Sequence, residues 1–209
     1  YESALSSKAG DVYIATPDQK VIDIVKNIDG NVIKTSDKHE TGTDRVFEVF
    51  KNTLNSQPNI IVNLQGDMPN IQPRAISTLV SYMQQGKCDI GTLASEFSSK
   101  DEIQNPNVVK VAVKDKLSEN IFVNALDFFR IDKNSNDILY HHVGIYAFTN
   151  KALMRYVSLK RSKLEIDRKL EQMRALENSM SIHVGYIKSQ PLSVDTEEDL
   201  IEIKKLMEK

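Results

Sequence analysis

Residues 59–69 have the sequence Asn-Ile-Ile-Val-Asn-Leu-Gln-Gly-Asp-Met-Pro, in which an apolar run stops at Gln-Gly-Asp. The run at residues 60–64 is too short for a free-standing helix and predicts a central β-strand. In open α/β sheets, ligands bind at the carboxyl ends of the strands, where Asp67 would lie and where Gly66 would let the backbone approach a ligand closely. A carboxylate there suits Mg²⁺, which proteins hold with one or two carboxylates and phosphate oxygens. An Asx-type turn that closes the strand explains the same residues equally well.

Strand and helix patterns alternate on either side of this run. The strand patterns cover residues 11–15, 31–34 and 89–94, and the helix patterns cover residues 18–28 and 73–85, with a further helix that begins at Thr43 or Asp44. Alternation at this spacing predicts βαβ units and a mostly parallel sheet.

The pattern changes after Ser95. Strand-like segments at residues 108–113, 122–130 and 143–148 are joined by polar loops and predict an antiparallel, β-rich excursion at roughly residues 96–150. Helix patterns return at residues 151–157 and 164–177, followed by a strand at residues 181–187 and a final helix from Thr196, with Asp199 placed for a capping box. We therefore predict one α/β domain with a β-rich excursion.

The composition argues against several classes of protein. The 209 residues are 40% hydrophobic and 27% charged, as in ordinary globular proteins. The 27 basic and 29 acidic residues form no basic stripe, so nucleic-acid binding is not expected. No apolar run approaches the roughly 18 residues of a membrane span. The single cysteine, Cys88, excludes an internal disulfide, fits a reducing cytoplasm and is expected to be a buried structural thiol.

The run Thr41-Gly42-Thr43-Asp44-Arg45 lies between a predicted strand and a predicted helix. Backbone N–H groups at a helix N-terminus bind phosphate or a base carbonyl, and Arg45 adds a fixed positive charge. The run is not a P-loop, because the spaced second glycine and the lysine are missing. A plain N-cap explains it equally well.

Asp195 precedes the last predicted helix, in the run Val-Asp-Thr-Glu-Glu-Asp at residues 194–199. The helix dipole favours acidic residues in a first turn and explains those that follow Asp195 without a functional role. Asp195 itself could meet Asp67 at the same edge of the sheet. Two aspartates that share one divalent ion would form a phosphoryl- or nucleotidyl-transfer site.

Histidines and acidic residues in the second half of the chain allow both functional and structural interpretations. His141 and His142 lie at a predicted strand, where adjacent side chains face opposite ways, so they would not chelate one metal. A histidine there either binds a hydroxyl group or lies on the surface. In the predicted helix at residues 164–177, Glu171 lies nearly opposite the apolar face and Gln172 towards its edge, so we expect both to be solvated.

Seven motifs, in this order along nearly the whole chain, resemble one family, the 3-deoxy-manno-octulosonate cytidylyltransferases or CMP-Kdo synthetases. They are TGTDR at residues 41–45, VNLQGDMP at 62–69, NPNVVKV at 105–111, NALDFFR at 124–130, HVGIY at 142–146, LEQMR at 170–174 and VDTEEDL at 194–200.

The resemblance implies a Rossmann-like nucleotide-diphospho-sugar transferase fold and a cytoplasmic homodimer built through the excursion at residues 96–150. It implies that CTP and 3-deoxy-manno-octulosonate (Kdo) give CMP-Kdo and pyrophosphate for lipopolysaccharide synthesis. The 2-hydroxyl of Kdo would attack the α-phosphorus of CTP, with Asp67 and Asp195 as the catalytic ligands of Mg²⁺. The implied Kdo-binding residues are Gln65, Arg130, His142, Glu171 and Gln172. The implied nucleotide-binding residues are Thr41, Gly42, Thr43 and Arg45.

The chain departs from the family pattern at three places. Family members begin with a strand and a basic loop that binds the triphosphate. Residues 1–209 contain no counterpart of this segment. Either that segment precedes Tyr1, or the protein is a nucleotide-binding module without activity. Met68 stands where many members carry Glu, and Phe129 replaces a Ser before Arg130, without the Ile-Pro that usually follows. An enzyme similar to CMP-sialic acid synthetase is the alternative activity.

Overall fold

The structure is a computed structural model that describes residues 1–53, 58–131, 137–194 and 196–207. The strands in these ranges are β1 (Ile14–Thr16), β2 (Val32–Lys34), β3 (Ile60–Leu64), β4 (Ile90–Ser95), β5 (Lys110–Val113), β6 (Phe122–Phe129), β7 (Ile138–Thr149) and β8 (Ile182–Tyr186). The helices are α1 (Glu2–Ser6), α2 (Gln19–Asn27), α3 (Gly42–Thr53), α4 (Pro73–Met83), α5 (Asp101–Gln104), α6 (Asn150–Ser158), α7 (Lys163–Arg168), α8 (Gln172–Glu177) and α9 (Glu197–Met207). No helix in the described ranges is long and apolar enough to cross a membrane.

Six strands form one sheet in the order β3-β7-β4-β8-β6-β5, and β1 and β2 pair in parallel as a separate ribbon. The strands β3, β4, β5 and β8 run in one direction, whereas β6 and β7 run in the opposite direction. The predicted α/β fold class, with most strands pointing the same way, is confirmed. Because the two reversed strands lie between the others, β4 and β8 are the parallel neighbours and the other described pairs of this sheet are antiparallel.

Residues 96–150 contribute three strands to this central sheet. The strands β5, β6 and β7 are antiparallel to their neighbours, and β7 lies between β3 and β4. Leu64 pairs with Ile145, and Thr92 pairs with Tyr146. The start of β7 therefore extends past the carboxyl end of β3. A role for this segment in dimerisation stays a prediction.

The alternation of side chains along β7 separates the core into two layers. Ile145 and Ala147 lie in a cluster with α4, which contributes Leu79. Tyr146 and Phe148 lie in a second cluster, with side chains from α3, α6 and α8. Since successive side chains of a strand point to opposite faces, helices cover both faces of the sheet.

Cys88 is buried in the cluster that contains α4. Burial raises the pKa of its thiol to about 11, so the thiol stays protonated at neutral pH. A nucleophilic cysteine needs the thiolate form. The prediction of a structural thiol is confirmed.

The prediction of one continuous helix at residues 164–177 is wrong, because the structure has two shorter helices there. The first part, α7, begins with a capping box between Ser162 and Glu165 and ends at Lys169, which adopts the left-handed conformation with φ 54° and ψ 47°. The second part, α8, starts anew at Gln172. The predicted capping pair of the last helix is confirmed, since Thr196 and Asp199 exchange backbone-to-side-chain hydrogen bonds of 2.9 and 3.2 Å.

Candidate active site

Asp67 lies in the turn after β3, at the carboxyl end of that strand. Its Oδ2 accepts a hydrogen bond from the Ser193 hydroxyl at 3.3 Å, whereas its Oδ1 is buried and has no hydrogen-bond partner among the described residues. Leaving a buried carboxylate oxygen without a donor is unfavourable, unless a ligand completes its coordination. Carboxylate oxygens are the ligands that Mg²⁺ prefers, so Asp67 fits a magnesium site.

The loop before α9 is hydrogen-bonded to the turn that carries Asp67. The Val194 N–H donates to the carbonyl oxygen of Asp67 at 2.9 Å, and the Leu192 N–H donates to Asn70 Oδ1 at 2.9 Å. Asp195, the second predicted metal ligand, lies outside the described residues. No group of three or more His, Cys, Asp or Glu in the described ranges is placed to hold a metal. Mg²⁺ at a nucleotide site needs only one or two carboxylates.

A cleft of about 370 Å³ opens beside the same turn. Its wall includes Gly66, Pro69 and Val194, together with apolar residues of α9. A β-carbon built at Gly66 would meet no described atom within 4 Å. The backbone of Gly66 is therefore open to a ligand.

The loop before α3 begins the helix in the manner of an N-cap. The Thr41 hydroxyl accepts from the Asp44 N–H at 3.2 Å and donates to the Asp44 carboxylate at 2.7 Å. The Arg45 guanidinium donates to Thr35 Oγ1 at 2.7 Å and to the Ser36 carbonyl at 2.8 Å, so it holds the loop after β2. The N-cap interpretation is thus confirmed, and nucleotide binding by Thr41 and Arg45 stays a prediction.

Asn63 joins β3 to the loop at Thr43 and, through it, to Glu171. Asn63 Nδ2 donates to Thr43 Oγ1 at 3.1 Å, and the Thr43 N–H donates to Glu171 Oε2 at 3.3 Å. Both Asn63 and Thr43 are buried, and a β-carbon at Gly42 would lie 3.3 Å from Asn63 Nδ2. Asn63 is not among the site residues predicted from the sequence, although an amide within an apolar strand is unusual and signals a specific partner.

Glu171 and Gln172 are not solvated surface residues, and that prediction is wrong for both. The break at Lys169 turns the start of α8 towards the interior, where Glu171, Gln172, Tyr146 and Tyr156 line a small cavity. Burial raises the pKa of Glu171, and the hydrogen bond from the Thr43 N–H opposes this shift. Its Oε1 is buried and has no partner among the described residues. This oxygen is available to accept a hydrogen bond from a hydroxyl group of a ligand.

A buried ion pair fixes α8 in this orientation. Arg174 donates two hydrogen bonds, of 2.8 and 2.6 Å, to the Glu165 carboxylate, and the exposed fractions of the two side chains are 3% and 1%. The Arg174 guanidinium also lies 4.5 Å from the centroid of the Tyr156 ring and 3.6 Å from Asp44. A paired, bidentate arginine of this kind holds neighbouring elements in one geometry.

His142 is buried in β7, so the interpretation as a surface histidine is wrong. Its Nε2 lies 2.9 Å from Thr92 Oγ1, and the Thr92 hydroxyl donates to the Ile145 carbonyl at 2.7 Å. Since that hydroxyl has one proton, the histidine is the donor of the pair. Phe128 packs edge-on against the imidazole with centroids 5.0 Å apart. Burial lowers the pKa of His142 to about 3, so the ring is neutral at pH 7. Binding of a substrate hydroxyl stays a prediction.

Gln65 and Arg130 contact two different motifs, at residues 142–146 and 105–111 respectively. The Gln65 side chain lies over Gly144, where a β-carbon would be 3.5 Å from Gln65 Oε1. The Arg130 guanidinium donates to the carbonyl oxygens of Pro106 and Asn107, each at 3.2 Å. Buried Lys110 donates to the Arg130 carbonyl oxygen at 2.6 Å. The two motifs that contain Lys110 and Arg130 therefore join each other.

Strand β3 connects two groups of predicted site residues. Asp67 and the loop that contains Ser193 and Val194 form one group at its carboxyl end. Thr43, Glu171 and Gln172 form the other group. Arg45 and Arg130, by contrast, are hydrogen-bonded to separate loops.

Comparison with known proteins agrees with the motifs. The profile of the family described as cytidylyltransferase matches residues 1–182. The 3-deoxy-manno-octulosonate cytidylyltransferase of Brucella ovis is 39% identical over 201 residues, which are 95% of this chain and 80% of that protein. The protein of the same name from Thermodesulfovibrio yellowstonii is 38% identical over 212 residues, with 96% of this chain and 83% of that protein covered.

Solved structures show the same fold. A CMP:2-keto-3-deoxy-manno-octonic acid synthetase in complex with CTP is similar with a TM-score of 0.85 and 33% identity, over 99% of this chain and 85% of that chain. A putative glucose-1-phosphate thymidylyltransferase from Bacillus anthracis has a TM-score of 0.64 at 16% identity, over 98% and 78% of the two chains, and shows the fold alone. The predicted Rossmann-like nucleotide-diphospho-sugar transferase fold is confirmed, and the chain belongs to the 3-deoxy-manno-octulosonate cytidylyltransferase family.

Proposed function

We propose that this protein is a Mg²⁺-dependent cytidylyltransferase that forms CMP-Kdo and pyrophosphate from CTP and Kdo, for lipopolysaccharide synthesis. The 39% identity to the Brucella ovis relative, across 95% of the chain, carries the proposal. The similarity to a synthetase in complex with CTP supports the choice of nucleotide.

In this proposal, Asp67 and Asp195 hold Mg²⁺. The buried Asp67 Oδ1, which lacks a described partner, supports the role of Asp67. The hydrogen bond from the Val194 N–H to Asp67 supports the role of Asp195, the next residue in the chain. When bound, Mg²⁺ would supply positive charge to the phosphate oxygens.

The residues of the chain act mainly by orienting the two substrates. The oxygen of the Kdo 2-hydroxyl forms a bond to the α-phosphorus and its proton is released to water, while the bond from the α-phosphorus to the bridging oxygen breaks and pyrophosphate leaves. Holding these groups in line supplies much of the rate enhancement in reactions of this type. The Ser193 hydroxyl fixes the orientation of the Asp67 carboxylate.

The remaining roles are proposed from the motifs and supported to different degrees. Glu171 and Gln172 bind Kdo hydroxyls or its carboxylate, which the free Glu171 Oε1 supports. Gln65, His142 and Arg130 complete the Kdo site. Thr41, Gly42, Thr43 and Arg45 bind the nucleotide, and their position at the N-terminus of the twelve-residue α3 supports this, since the helix dipole favours anions there.

We further propose a cytoplasmic homodimer that is formed through residues 96–150. Exposed apolar side chains in this segment support the interface, with exposed fractions of 56% for Ile121, 46% for Leu126, 60% for Ile131 and 40% for Ile138. Analytical ultracentrifugation of the wild type and Ile131→Asp tests this assignment. We expect a dimer for the wild type and a shift towards monomer for the variant. A monomeric wild type contradicts it.

A substrate panel tests the proposed reaction. The complete protein is incubated with Mg²⁺ and either CTP or UTP, with either Kdo or N-acetylneuraminic acid, and pyrophosphate is measured. We expect release only with CTP and Kdo, and loss of release with a chelator. Turnover of the sialic acid alone would identify the alternative enzyme. CTP binding without turnover would identify a binding module.

A further inference from the structure

We infer that Asn70 is a positioning residue for this reaction, because its side chain ties the loop before α9 to the turn that carries Asp67. This inference rests on the proposed function. We assign Asn70 no contact with the reacting groups, and it acts through the loop at residues 188–194.

The turn that carries Asn70 packs against the core on both sides of this residue. Met68 and Ile71, which flank Asn70 in the turn, are buried with exposed fractions of 7% and 3%. Both pack in the apolar cluster that contains α4, and the Ile71 N–H donates to the Met68 carbonyl at 3.3 Å. The turn therefore presents the Asn70 amide from a well-packed support.

The loop that Asn70 contacts, at residues 188–194, is not part of a β-strand. Asn70 Oδ1 accepts the Leu192 N–H at 2.9 Å, across 122 residues of sequence. Leu192 follows Pro191, which has no N–H to donate. Two residues later, the Val194 N–H donates to the Asp67 carbonyl. The Asn70 bond thus fixes the loop just before it reaches Asp67.

This connection differs from the others between the two loops. The bonds of Ser193 and Val194 end on Asp67 itself, so a change there alters the proposed metal ligand. The Asn70 bond ends on a side chain outside the site. A substitution at Asn70 therefore loosens the loop that leads to Asp195 while Asp67 keeps its own chemistry.

Hydrogen exchange measured by mass spectrometry tests the connection directly, without substrate. In Asn70→Leu, which keeps the volume and removes the acceptor, we expect exchange of the Leu192 amide to rise on the order of tenfold. Asn70→Asp keeps the acceptor oxygen and should retain the protection. Asn27→Leu, at an exposed amide on α2, is the matched control and should change nothing in the loop. Asn70→Ala replaces the leucine variant if that variant does not fold.

Kinetics and metal binding then test the positioning role. For Asn70→Leu we expect kcat to fall about tenfold to a hundredfold and the half-saturating Mg²⁺ concentration to rise, with little change in KM for Kdo. Mn²⁺ affinity in the presence of CTP, measured by electron paramagnetic resonance, should fall in parallel, and Asn70→Asp should restore kcat.

The outcomes separate this inference from the function on which it rests. Unchanged exchange at Leu192 in Asn70→Leu overturns the connection. Faster exchange with unchanged kcat and Mn²⁺ affinity overturns the positioning role. A wild type that releases no pyrophosphate overturns the proposed function instead, and exchange and Mn²⁺ binding still decide what Asn70 does.

Discussion

The Val194 N–H donates to the carbonyl oxygen of Asp67 at 2.9 Å, although the two residues belong to distant parts of the chain. This bond joins the turn after β3 to the loop before α9. Since Asp195 follows Val194, the bond supports the proposal that two acidic side chains share one metal ion.

Asp67→Asn is expected to reduce Mg²⁺-dependent pyrophosphate release by about a hundredfold or more, because it removes a charged ligand from the buried Oδ1 position. The unfolding free energy should not fall, since the carboxylate lacks a donor at that oxygen. Pyrophosphate release and urea unfolding measure the two effects. Asp115→Asn, at an exposed loop position, is the control. Full activity in Asp67→Asn would remove this residue from the metal site.

Glu171→Gln should weaken Kdo binding and should raise the free energy of unfolding at high pH. Burial raises the pKa of Glu171, so the folded state binds this proton more tightly than the unfolded chain. The resulting stability is present below the pKa of the unfolded chain and is lost as pH rises through the folded pKa. We expect Glu171→Gln to be more stable than the wild type at pH 8, with no such advantage at pH 4.

The same variant should raise KM for Kdo roughly tenfold, because the amide has one acceptor oxygen where the carboxyl group has two, and Oε2 already accepts the Thr43 N–H. Urea unfolding at the two pH values and steady-state kinetics measure these effects. Glu202→Gln, exposed on α9, should change neither quantity. An equal stability difference at both pH values would refute the role given to burial.

His142 should make the wild type sensitive to acid. Burial lowers the pKa of His142 to about 3, against about 6.5 in an unfolded chain. The stability it contributes is therefore complete above about pH 6.5 and is lost as pH falls towards 3, at up to ~1.4 kcal/mol per pH unit. Unfolding free energies between pH 4 and 7 should fall less steeply in His142→Gln. Parallel slopes for the two proteins would show that His142 does not titrate on unfolding.

Gly66→Ala separates ligand approach from folding. Because no described atom lies within 4 Å of the new methyl group, the unfolding free energy should change by less than about 0.5 kcal/mol. If the backbone at Gly66 meets the nucleotide, the Kd for CTP rises. Gly185→Ala is the opposite case, since its β-carbon would lie 2.4 Å from Phe122. That variant should lose about 1–3 kcal/mol of stability. Unchanged CTP affinity in Gly66→Ala would exclude a close approach there.

Local patterns predict the elements that local interactions determine. The strand β3 begins and ends where its apolar run does, and the Thr196–Asp199 cap follows from residue types three positions apart. The break at Lys169 has no such signal, because neither Gly nor Pro occurs there. It accompanies the contact between Glu165 and Arg174, nine residues apart, which places α8 across the interior.

The site was harder to predict than the strands that carry it. Asn63 and Asn70 contact partners that are distant in sequence, and spacing along the chain contains no information on such contacts. The resemblance to the family assigns Glu171 to Kdo, whereas its helical pattern alone predicts a solvated side chain. The position of β7 between β3 and β4 likewise depends on pairing that only the folded chain reveals.

The most direct test of the shared metal site is a double-mutant cycle at Asp67 and Asp195. Pyrophosphate release from CTP, Kdo and Mg²⁺ is measured for the wild type, Asp67→Asn, Asp195→Asn and the double variant. If both residues hold the same ion, their effects are not additive, and the double variant is no slower than the slower single variant. Losses that multiply in the double variant, or a single variant with wild-type rates, would contradict the account.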